Sequence, residues 1–329
     1  MECVRKLTND LYWVGADDRR LALFENIHPI PRGVSYNSYL LLDEKTVLFD
    51  TADWSVCKQF LENVEGVLKG RKLDYLIINH VEPDHAASIE EVLLRHPETT
   101  VISNEQAFTL MDQFGYRVEG EKQIVVKEGD TQKFGKHTIA FVAAPMVHWP
   151  EAMVSFDLTT GTLFSADAFG SFGALGGRIF NDEVDFDRDW LDDARRYYTN
   201  IVGKYGPFVM DLLGKASQLD IKMICPLHGP ILKENLAFYI DKYNTWSSYE
   251  PEDEGVFVAY ASIHGNTAEA AKEFVEMLRK NGAEKVVIAD LSREDMAEAV
   301  EDAFRYSKLV VAAASYDAGV FPCMEDFLH

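Results

Sequence analysis

The first fifty residues contain short apolar runs separated by polar turns, a pattern that predicts β-strands. Leu11–Val14 is one such run, and Ser38–Leu42 should pair with Thr46–Phe49 across the polar turn Asp43-Glu44-Lys45. Helical and strand patterns then alternate to residue 115, and helices dominate the stretch before residue 245. Further strands are predicted at Gln123–Val126, Thr138–Val142, Met153–Phe156 and Thr162–Phe164.

This order of elements predicts two β-sheets sandwiched between helices rather than a doubly wound sheet. The acidic stretch Tyr249–Gly255 has few apolar residues and includes a proline and a glycine, so it predicts a linker. A new apolar strand, Val256–Ala261, follows it at once. We therefore predict two domains, at residues 1–249 and 255–329, which suits a chain of 329 residues.

Charge and cysteine content narrow the range of functions. The chain carries 32 lysines and arginines against 54 aspartates and glutamates, a net charge of −22, which argues against nucleic acid or an anionic membrane as partner. Met1–Leu7 lacks the apolar run of a signal peptide, and no apolar stretch reaches the roughly eighteen residues of a membrane span. The four cysteines form no C-x-x-C pair, so the sequence contains no rubredoxin-type iron site. We expect a cytoplasmic protein.

A cluster of metal-ligand side chains follows the apolar run Leu73–Ile78. Four such side chains fall within six residues, namely His80, Glu82, Asp84 and His85. If the backbone is extended, the first three point to one side and His85 points elsewhere, which suits two neighbouring metals better than one. The alternative is that the aspartate caps a helix and the histidines are polar loop residues.

The residues around this cluster predict how it is supported. Ser88 and Glu91 have the spacing of a capping box, and Pro97 follows the helical pattern that they begin. Asp50 and Asp53 close the predicted hairpin. These two acids either occupy a turn or support the metal loop from behind.

Three more ligand candidates occur where predicted strands end, namely His148, Asp167 and His228. Taken singly, a residue of this kind is more often a hydrogen-bonded core residue than a ligand. Because each one ends an apolar strand, we expect all three to gather with the first cluster at one edge of the sandwich.

The spacing H-x-[EH]-x-D-H, with His, Asp and His downstream, resembles the metallo-β-lactamase fold. Hydrolases of that fold usually have histidine where this sequence has Glu82. That difference, with His148-Trp149-Pro150, Leu227-His228-Gly229-Pro230 and the strand after residue 255, resembles the flavodiiron proteins over essentially the whole chain. The resemblance implies an αββα metallo-β-lactamase-like sandwich followed by a partial flavodoxin-like doubly wound parallel sheet.

The resemblance also implies a site for two iron ions. The first iron would be held by His80, Glu82 and His148, the second by Asp84, His85 and His228, and both by the bridging Asp167. In some members of the family the residue matching His85 turns away from the metal. The family has a tyrosine near the irons, and Tyr197 is the match as a catalytic residue, although core packing is an alternative role.

The second domain begins with a strand, a turn rich in hydroxyl and glycine residues, and a helix, an arrangement that receives a phosphate group. No P-loop lysine is present, which disfavours a nucleoside triphosphate in this turn. The turn resembles the flavin mononucleotide (FMN) loop of flavodoxins, and a second loop should flank the flavin ring. The candidate flavin contacts are Ser262, His264, Gly265, Asn266 and Thr267 in the first loop, and Ser315, Tyr316, Asp317, Ala318 and Gly319 in the second.

The flavodoxin-like part departs from the family pattern. It supplies three strands, whereas such a sheet needs about five, and the chain stops at His329 before a third flavin loop. Either the domain is a shortened version or something else covers the sheet edge. We expect FMN to bind weakly or substoichiometrically.

Three functions remain possible on the sequence alone. The resemblance implies an oxidoreductase that reduces dioxygen to water, nitric oxide to nitrous oxide, or both, with electrons passed through FMN. It also implies a head-to-tail homodimer and an external donor such as rubredoxin or a reductase. The alternatives are a two-zinc hydrolase with a flavodoxin-like appendage and a gas or redox sensor. Three carboxylates among seven ligands suit a redox-active iron pair better than zinc.

Overall fold

The computed structural model describes residues 3–329, so Met1 and Glu2 of the predicted first domain lie outside the described residues. Two β-sheets form the centre of the first domain. The first has seven strands in the order Arg5–Lys6, Leu11–Trp13, Tyr39–Leu42, Thr46–Phe49, Tyr75–Ile77, Thr100–Ser103 and Gln123–Val125. The second has five strands in the order Thr131–Lys133, Thr138–Ala143, Met153–Asp157, Thr162–Phe164 and Met223–Cys225.

The apolar faces of the two sheets pack against each other. Phe49 of the first sheet stacks on Phe164 of the second, with ring centroids 3.8 Å apart. Both rings belong to one buried cluster that also contains Ile77 and Phe141. The predicted hairpin is confirmed, since Tyr39–Leu42 pairs antiparallel with Thr46–Phe49. The sheets thus share one core and leave their outer faces to helices.

Helices cover both outer faces and complete the predicted αββα sandwich. In the first domain they are Cys57–Leu68, Pro83–Ala86, Ile89–Arg95, Glu105–Phe114, Phe186–Asp189, Leu191–Tyr197, Gly206–Ala216 and Leu236–Ser247. A π-helix spans Tyr198–Val202, and single 3₁₀ turns lie at Trp54–Val56, Gly120–Lys122, Asn181–Glu183 and Gly203–Tyr205. Among the described residues, no helix combines the length and the apolar character needed to cross a membrane.

The C-terminal part is a small parallel sheet flanked by helices. Its strand order is Val286–Asp290, Asp253–Ala261 and Tyr306–Ala313. The helices are Asn266–Lys280, Met296–Arg305 and Pro322–Leu328. Three two-stranded ribbons complete the structure: Ala16–Asp18 with Val34–Tyr36, Leu23–Phe24 with His28–Pro29, and Ser315–Tyr316 with Gly319–Val320.

The predicted capping box at Ser88 is wrong. Ser88 does precede the helix Ile89–Arg95, but its hydroxyl makes no cap and instead donates to the Ala52 carbonyl at 2.7 Å. Burial accounts for this, because Ser88 is fully enclosed and a buried hydroxyl needs a hydrogen-bond partner. The side chain therefore fastens the metal loop to the end of the hairpin.

The acidic stretch predicted as a linker is partly buried, and its second half belongs to a strand. The strand begins at Asp253 rather than Val256, because Lys285 and Arg305 hold the Asp253 carboxylate at 2.5 and 2.8 Å. The neighbouring Glu252 accepts hydrogen bonds from the buried Arg195. Acids of this stretch thus form ion pairs with both parts of the chain.

The buried His137 joins the two sheets. It lies at the opposite end of the strands from the ligand candidates. His137 Nδ1 lies 2.7 Å from Asp157 Oδ2, and its Nε2 lies 3.1 Å from Asp10 Oδ2. The hydrogen bond to Asp157, against the opposing effect of burial, raises the pKa of His137 to about 9, and the pKa values of both aspartates are lowered.

We expect the free energy of unfolding to fall by about 2 kcal/mol as the pH rises from roughly 6.5 to above 9. The folded protein binds this proton more tightly than the unfolded chain, so the stabilisation is complete below the unfolded pKa and is lost as the pH passes the folded one. Urea unfolding at pH 6 and pH 9.5 measures the difference. The variant His137→Gln should lose most of this dependence, and an unchanged dependence would contradict the assignment.

Candidate metal centre

All seven predicted ligand side chains meet at one edge of the sandwich. Four of them follow the ends of strands, as expected: His80, His148, Asp167 and His228 come shortly after the strands that end at Ile77, Ala143, Phe164 and Cys225. Parallel and neighbouring strands bring their ends to a common edge, which is why residues up to 148 positions apart become neighbours. The seven form two groups.

The first group contains His80, Glu82, His148 and Asp167. His80 Nε2 lies 3.2 Å from both Glu82 Oε2 and Asp167 Oδ2. His148 Nε2 lies 3.0 Å from the same glutamate oxygen and 3.2 Å from the same aspartate oxygen. Ligands about 2.0 Å from one cation stand roughly 3.3 Å apart in a tetrahedral arrangement. The four atoms are therefore spaced as the ligands of a single ion.

The second group contains Asp84, His85 and His228. His85 Nε2 lies 3.0 Å from His228 Nε2 and 3.3 Å from Asp84 Oδ2. Asp167 presents its other oxygen, Oδ1, 3.2 Å from His85 Nε2. Asp167 therefore faces both groups, and His85 points into the second group rather than away from it.

The grouping corrects the argument made from an extended backbone. Asp84 does not point with His80 and Glu82, because Pro83 begins a one-turn helix that ends at Ala86. Proline at the first turn fixes a helical φ and costs no hydrogen bond there. The turn sends Asp84 to the second group with His85.

Unpaired buried atoms indicate that cations fit these groups. Both carboxylate oxygens of Asp84 and Oδ1 of Asp167 are buried without a hydrogen-bond partner among the described residues. The Nε2 atoms of His85 and His228 face each other. At most one of them can donate a hydrogen to the other, so at least one nitrogen lone pair is left for a cation. Buried charged oxygens are ordinarily paired or bound to metal. The donor set of imidazole and carboxylate, without thiolate, suits iron, manganese or zinc.

Residues behind the ligands set the orientation of two imidazoles. His80 Nδ1 lies 2.8 Å from the buried Glu151 carboxylate, and His228 Nδ1 lies 2.8 Å from the Ser35 carbonyl. Each contact places a hydrogen on Nδ1 and leaves Nε2 free to face the group. Asp50 accepts a hydrogen bond from the backbone N–H of His80 at 3.2 Å. It therefore supports the metal loop from behind, which is one of the two roles expected from the sequence.

The buried charged groups of the site shift one another's pKa values. Burial raises the pKa of Asp84 to about 7, although His85 acts in the opposite direction. Burial disfavours charged His80, yet the Asp167 carboxylate holds the pKa of His80 well above its usual value. Against burial, the same carboxylate raises the pKa of His148 to about 9. The side chains thus retain protons when they face only one another, and metal binding releases them.

The backbone is strained where it presents the ligands. Met146 and Ala166, at φ 64° and 50°, precede His148 and Asp167, and Phe169 follows at φ 67°. Left-handed conformations of this kind cost about 1–3 kcal/mol each in non-glycine residues and tend to concentrate at functional sites. The fold therefore holds these ligand loops in position at an energetic cost.

Aromatic side chains enclose the second group. The fully buried Tyr197 ring lies 5.5 Å from the His228 ring, and its hydroxyl has no hydrogen-bond partner in the described residues. Phe24 and Tyr36 contact the same imidazole, with ring centroids 5.3 and 5.7 Å away. Tyr197 thus lies beside the site, where both its predicted catalytic role and core packing remain consistent with its position.

Two acids beside the site, Glu25 and Glu151, were not among the residues predicted from the sequence. Burial, reinforced by the Glu82 carboxylate, raises the pKa of Glu25 to about 8. Glu25 adopts a left-handed φ of 49° in the turn of the Leu23–Pro29 ribbon, and a hydrogen bond between its side chain and Glu82 contributes to the raised pKa. Glu151 could have been suspected from its place three residues after His148. Glu25 has no such signal, because it is 57 residues from Glu82 in sequence.

The predicted flavin loops lie at the carboxyl ends of the small parallel sheet. In the first loop, Gly265 N–H donates to Ser262 Oγ at 3.1 Å, and helix Asn266–Lys280 begins directly afterwards. In the second, the ribbon at Ser315–Val320 leaves the Tyr316 ring 48% exposed. The ten predicted flavin contacts therefore occupy two neighbouring loops, and their contacts with a flavin stay a prediction.

Comparisons with known proteins agree with this fold and site. A family model described as "ODP family beta lactamase" matches residues 34–229. The anaerobic nitric oxide reductase flavorubredoxin of Salmonella paratyphi B is 31% identical over 95% of this chain and 66% of its own length. The structure of rubredoxin oxygen:oxidoreductase from Desulfovibrio gigas has a TM-score of 0.92 and 27% identity over 99% of this chain and 81% of that one. A variant of the flavo di-iron protein of Thermotoga maritima has a TM-score of 0.91 and 26% identity over 99% and 82%.

The fold, two packed sheets between helices with polar ligands at one edge, defines a protein of the metallo-β-lactamase-like class. Within that class, the chain belongs to the flavodiiron protein family. It spans just under two thirds of the length of the Salmonella flavorubredoxin that it matches.

Proposed function

We propose that this chain is a flavodiiron oxidoreductase that reduces dioxygen to water, nitric oxide to nitrous oxide, or both. The observation that carries the proposal is Asp167, whose two carboxylate oxygens face two separate groups of histidines and carboxylates. Such an arrangement suits two redox-active ions held close together by one bridge. The names of the relatives agree with this chemistry, since one is a nitric oxide reductase and another an oxygen oxidoreductase.

The residues of the chain would divide the work at this site. When bound, two iron ions would supply the electrons that the gas molecule accepts. His80, Glu82 and His148 would hold one ion, and Asp84, His85 and His228 the other. The buried rings of Tyr197 and Phe24 exclude water from the second group. Both reductions consume protons, and the carboxyl group of Glu25 can hold one next to Glu82.

Electrons would enter through FMN. The proposed flavin site comprises the loops at 262–267 and 315–319, where the N-terminus of a 15-residue helix can receive the phosphate. An external donor such as rubredoxin or a reductase would reduce the flavin. The working unit would be a head-to-tail homodimer in which the flavin of one subunit lies beside the metal centre of its partner.

A two-zinc hydrolase is the alternative that the family assignment does not favour. The same geometry with zinc would orient a hydroxide for hydrolysis. Glu82 supports the redox proposal, because a carboxylate at that ligand position stabilises an oxidised metal better than histidine does. The alternative predicts zinc in the purified protein and hydrolytic activity toward esters or lactams.

Metal content and gas consumption test the proposal together. Protein made in iron-replete medium should contain about two irons per chain. Supplied with chemically reduced FMN, it should then consume dioxygen or nitric oxide faster than the same FMN solution does without protein, because reduced flavin reacts with dioxygen by itself. Each rate is measured in a sealed cell with a gas electrode, and the ratio of the two rates above this background assigns the preferred gas. Two zincs per chain under these conditions, with neither gas consumed above the background, would sink the proposal and point to the hydrolase.

A further inference from the structure

Arg196 lies between the metal centre and the C-terminal part of the chain. It belongs to the helix Leu191–Tyr197 of the sandwich, and its side chain is only 2% exposed. Its Nη2 lies 2.5 Å from Asp295 Oδ2, and its Nε lies 3.0 Å from Glu298 Oε1. Among residues 3–329, these two carboxylates are the ones that pair with Arg196, and both belong to the C-terminal part. Because a buried guanidinium needs such partners, the position of this side chain depends on that part of the chain.

The same guanidinium also holds the ribbon Leu23–Pro29. Arg196 Nη2 donates a hydrogen bond to the Pro29 carbonyl at 2.5 Å, at the base of the ribbon. The turn at the other end contains Glu25 and Asn26 in left-handed conformations, at φ 49° and 60°. Such conformations in non-glycine residues persist only where the surrounding structure holds them. The hydrogen bond to Pro29 therefore anchors a ribbon whose turn does not favour its own shape.

The ribbon closes over both metal groups. Phe24 contacts the His228 imidazole, with ring centroids 5.3 Å apart. The side chain of Glu25 hydrogen-bonds to that of Glu82. Phe24 is buried, whereas Ile27 at the turn is 67% exposed, so the inner side of the ribbon packs on the site and the outer side faces solvent. An outward movement of the ribbon would therefore uncover predicted ligands of both ions.

A second set of contacts connects Arg196 to the same site. Its guanidinium lies 5.1 Å from the centroid of the Phe172 ring, which is a favourable cation–π distance. Phe172 in turn contacts Phe24 and Tyr197, with ring centroids 5.4 and 5.2 Å away. Arg196 thus supports both the ribbon and the aromatic side chains that enclose the second metal group.

We infer that Arg196 is a positioning residue that keeps the ribbon Leu23–Pro29 closed over the metal centre while the C-terminal part supplies Asp295 and Glu298. When that part shifts, the buried guanidinium loses its partners and releases the Pro29 carbonyl, and the centre opens. Because the predicted flavin loops belong to the same part, the centre is closed only when the flavin-carrying part is in place. This role rests on the candidate metal centre but not on its redox reaction, since a pair of zinc ions would be covered as a pair of irons would.

Hydrogen–deuterium exchange of the whole protein, read by mass spectrometry on a peptide covering residues 22–30, tests the inference whether or not metal is bound. The variant Asp295→Asn/Glu298→Gln removes both carboxylate charges and leaves the ribbon sequence unchanged, and asparagine can keep the helix cap that Asp295 provides. Exchange of the ribbon amides should become about tenfold faster, because two charged contacts of the anchor are lost. Arg196→Gln should have the same effect, and Arg196→Lys, which keeps the charge, should recover part of the protection.

The same variants show whether the ribbon covers the metal. Protein purified with its iron or zinc should release that metal to a chromogenic chelator about tenfold faster than the parent does, because the chelator reaches the centre when the ribbon is open. The metal content before the chelator is added should equal that of the parent. Faster exchange of the ribbon amides without faster release of metal would contradict the role of the ribbon as a cover.

A matched control removes two charges from the same helix. Glu301→Gln/Asp302→Asn alters carboxyl groups that face Arg195 and Arg305 rather than Arg196. Exchange of the ribbon amides should then stay within about twofold of the parent, because the anchor keeps its partners. Equal acceleration in both double variants would show that general loosening of the C-terminal part exposes the ribbon, and it would overturn the inference. Unchanged exchange in the variant that lacks the partners of Arg196 would overturn it as well.

Discussion

Replacing Asp167 by alanine should leave the purified protein with almost no tightly bound metal, whereas replacing His80 should remove about one ion of two. Asp167 directs Oδ2 at the first group and Oδ1 at the second, so its loss opens both. His80 contacts only the first group through Nε2. The two variants therefore distinguish a shared bridge from two independent sites.

Elemental analysis of each variant, made in iron-replete medium and desalted against a weak chelator, measures this difference. Glu151→Gln is the matched control, because it keeps every ligand and alters only the two hydrogen bonds of Glu151 Oε1, one to the His80 ring and one from the backbone N–H of Val81. Loss of an orienting partner of this kind typically costs about 10–100-fold in metal affinity, so this variant should fall between the parent and His80→Ala. Equal metal loss from Asp167→Ala and His80→Ala would contradict the bridging position of Asp167.

Most of the sandwich could be predicted because its strands are short apolar runs bounded by turns. The hairpin at residues 39–49 was predicted within a residue of its observed bounds, since polar residues mark both of its ends. The predicted ligands also follow from local signals, because each comes shortly after an apolar strand, in a loop or in the short helix Pro83–Ala86. What brings them together is sheet order, which pairs Thr162–Phe164 with Met223–Cys225 across some sixty residues.

The error at Ser88 arose because a tertiary contact overrides a local pattern. Ser88 has the spacing of a helix cap, but its burial against the Ala52 carbonyl determines its hydrogen bond. The error at Asp84 has a local cause, since the neighbouring Pro83 turns the chain into a helix where an extended strand was assumed. The ion pair of Glu252, in the segment predicted as a linker, could not be predicted from the sequence pattern. Its partner Arg195 is 57 residues away, and spacing along the chain carries no information about that contact.

Replacing Arg195 by leucine should lower the free energy of unfolding by about 3–5 kcal/mol, a large effect for one residue. Arg195 is 1% exposed, and its Nε and Nη2 lie 2.6 and 3.0 Å from the two carboxylate oxygens of Glu252. Its Nη1 contacts Glu301 in the helix Met296–Arg305. Without the arginine, Glu301 would stay buried and lose its ion pair. Glu252 would keep only Lys242 and Trp246.

The pH dependence of this loss identifies its cause. Burial already raises the pKa of Glu301 to about 7, even with Arg195 beside it. In the leucine variant this carboxyl group can avoid an unpaired charge by binding a proton, which is easier in acid. The destabilisation measured by urea unfolding should therefore be larger at pH 8 than at pH 5.5.

The control Arg188→Leu breaks an ion pair whose arginine side chain is 71% exposed, and it should lower the free energy of unfolding by less than about 1 kcal/mol. A loss from Arg195→Leu that is equally small, or that does not change with pH, would show that the buried ion pairs do not hold the two parts of the chain together.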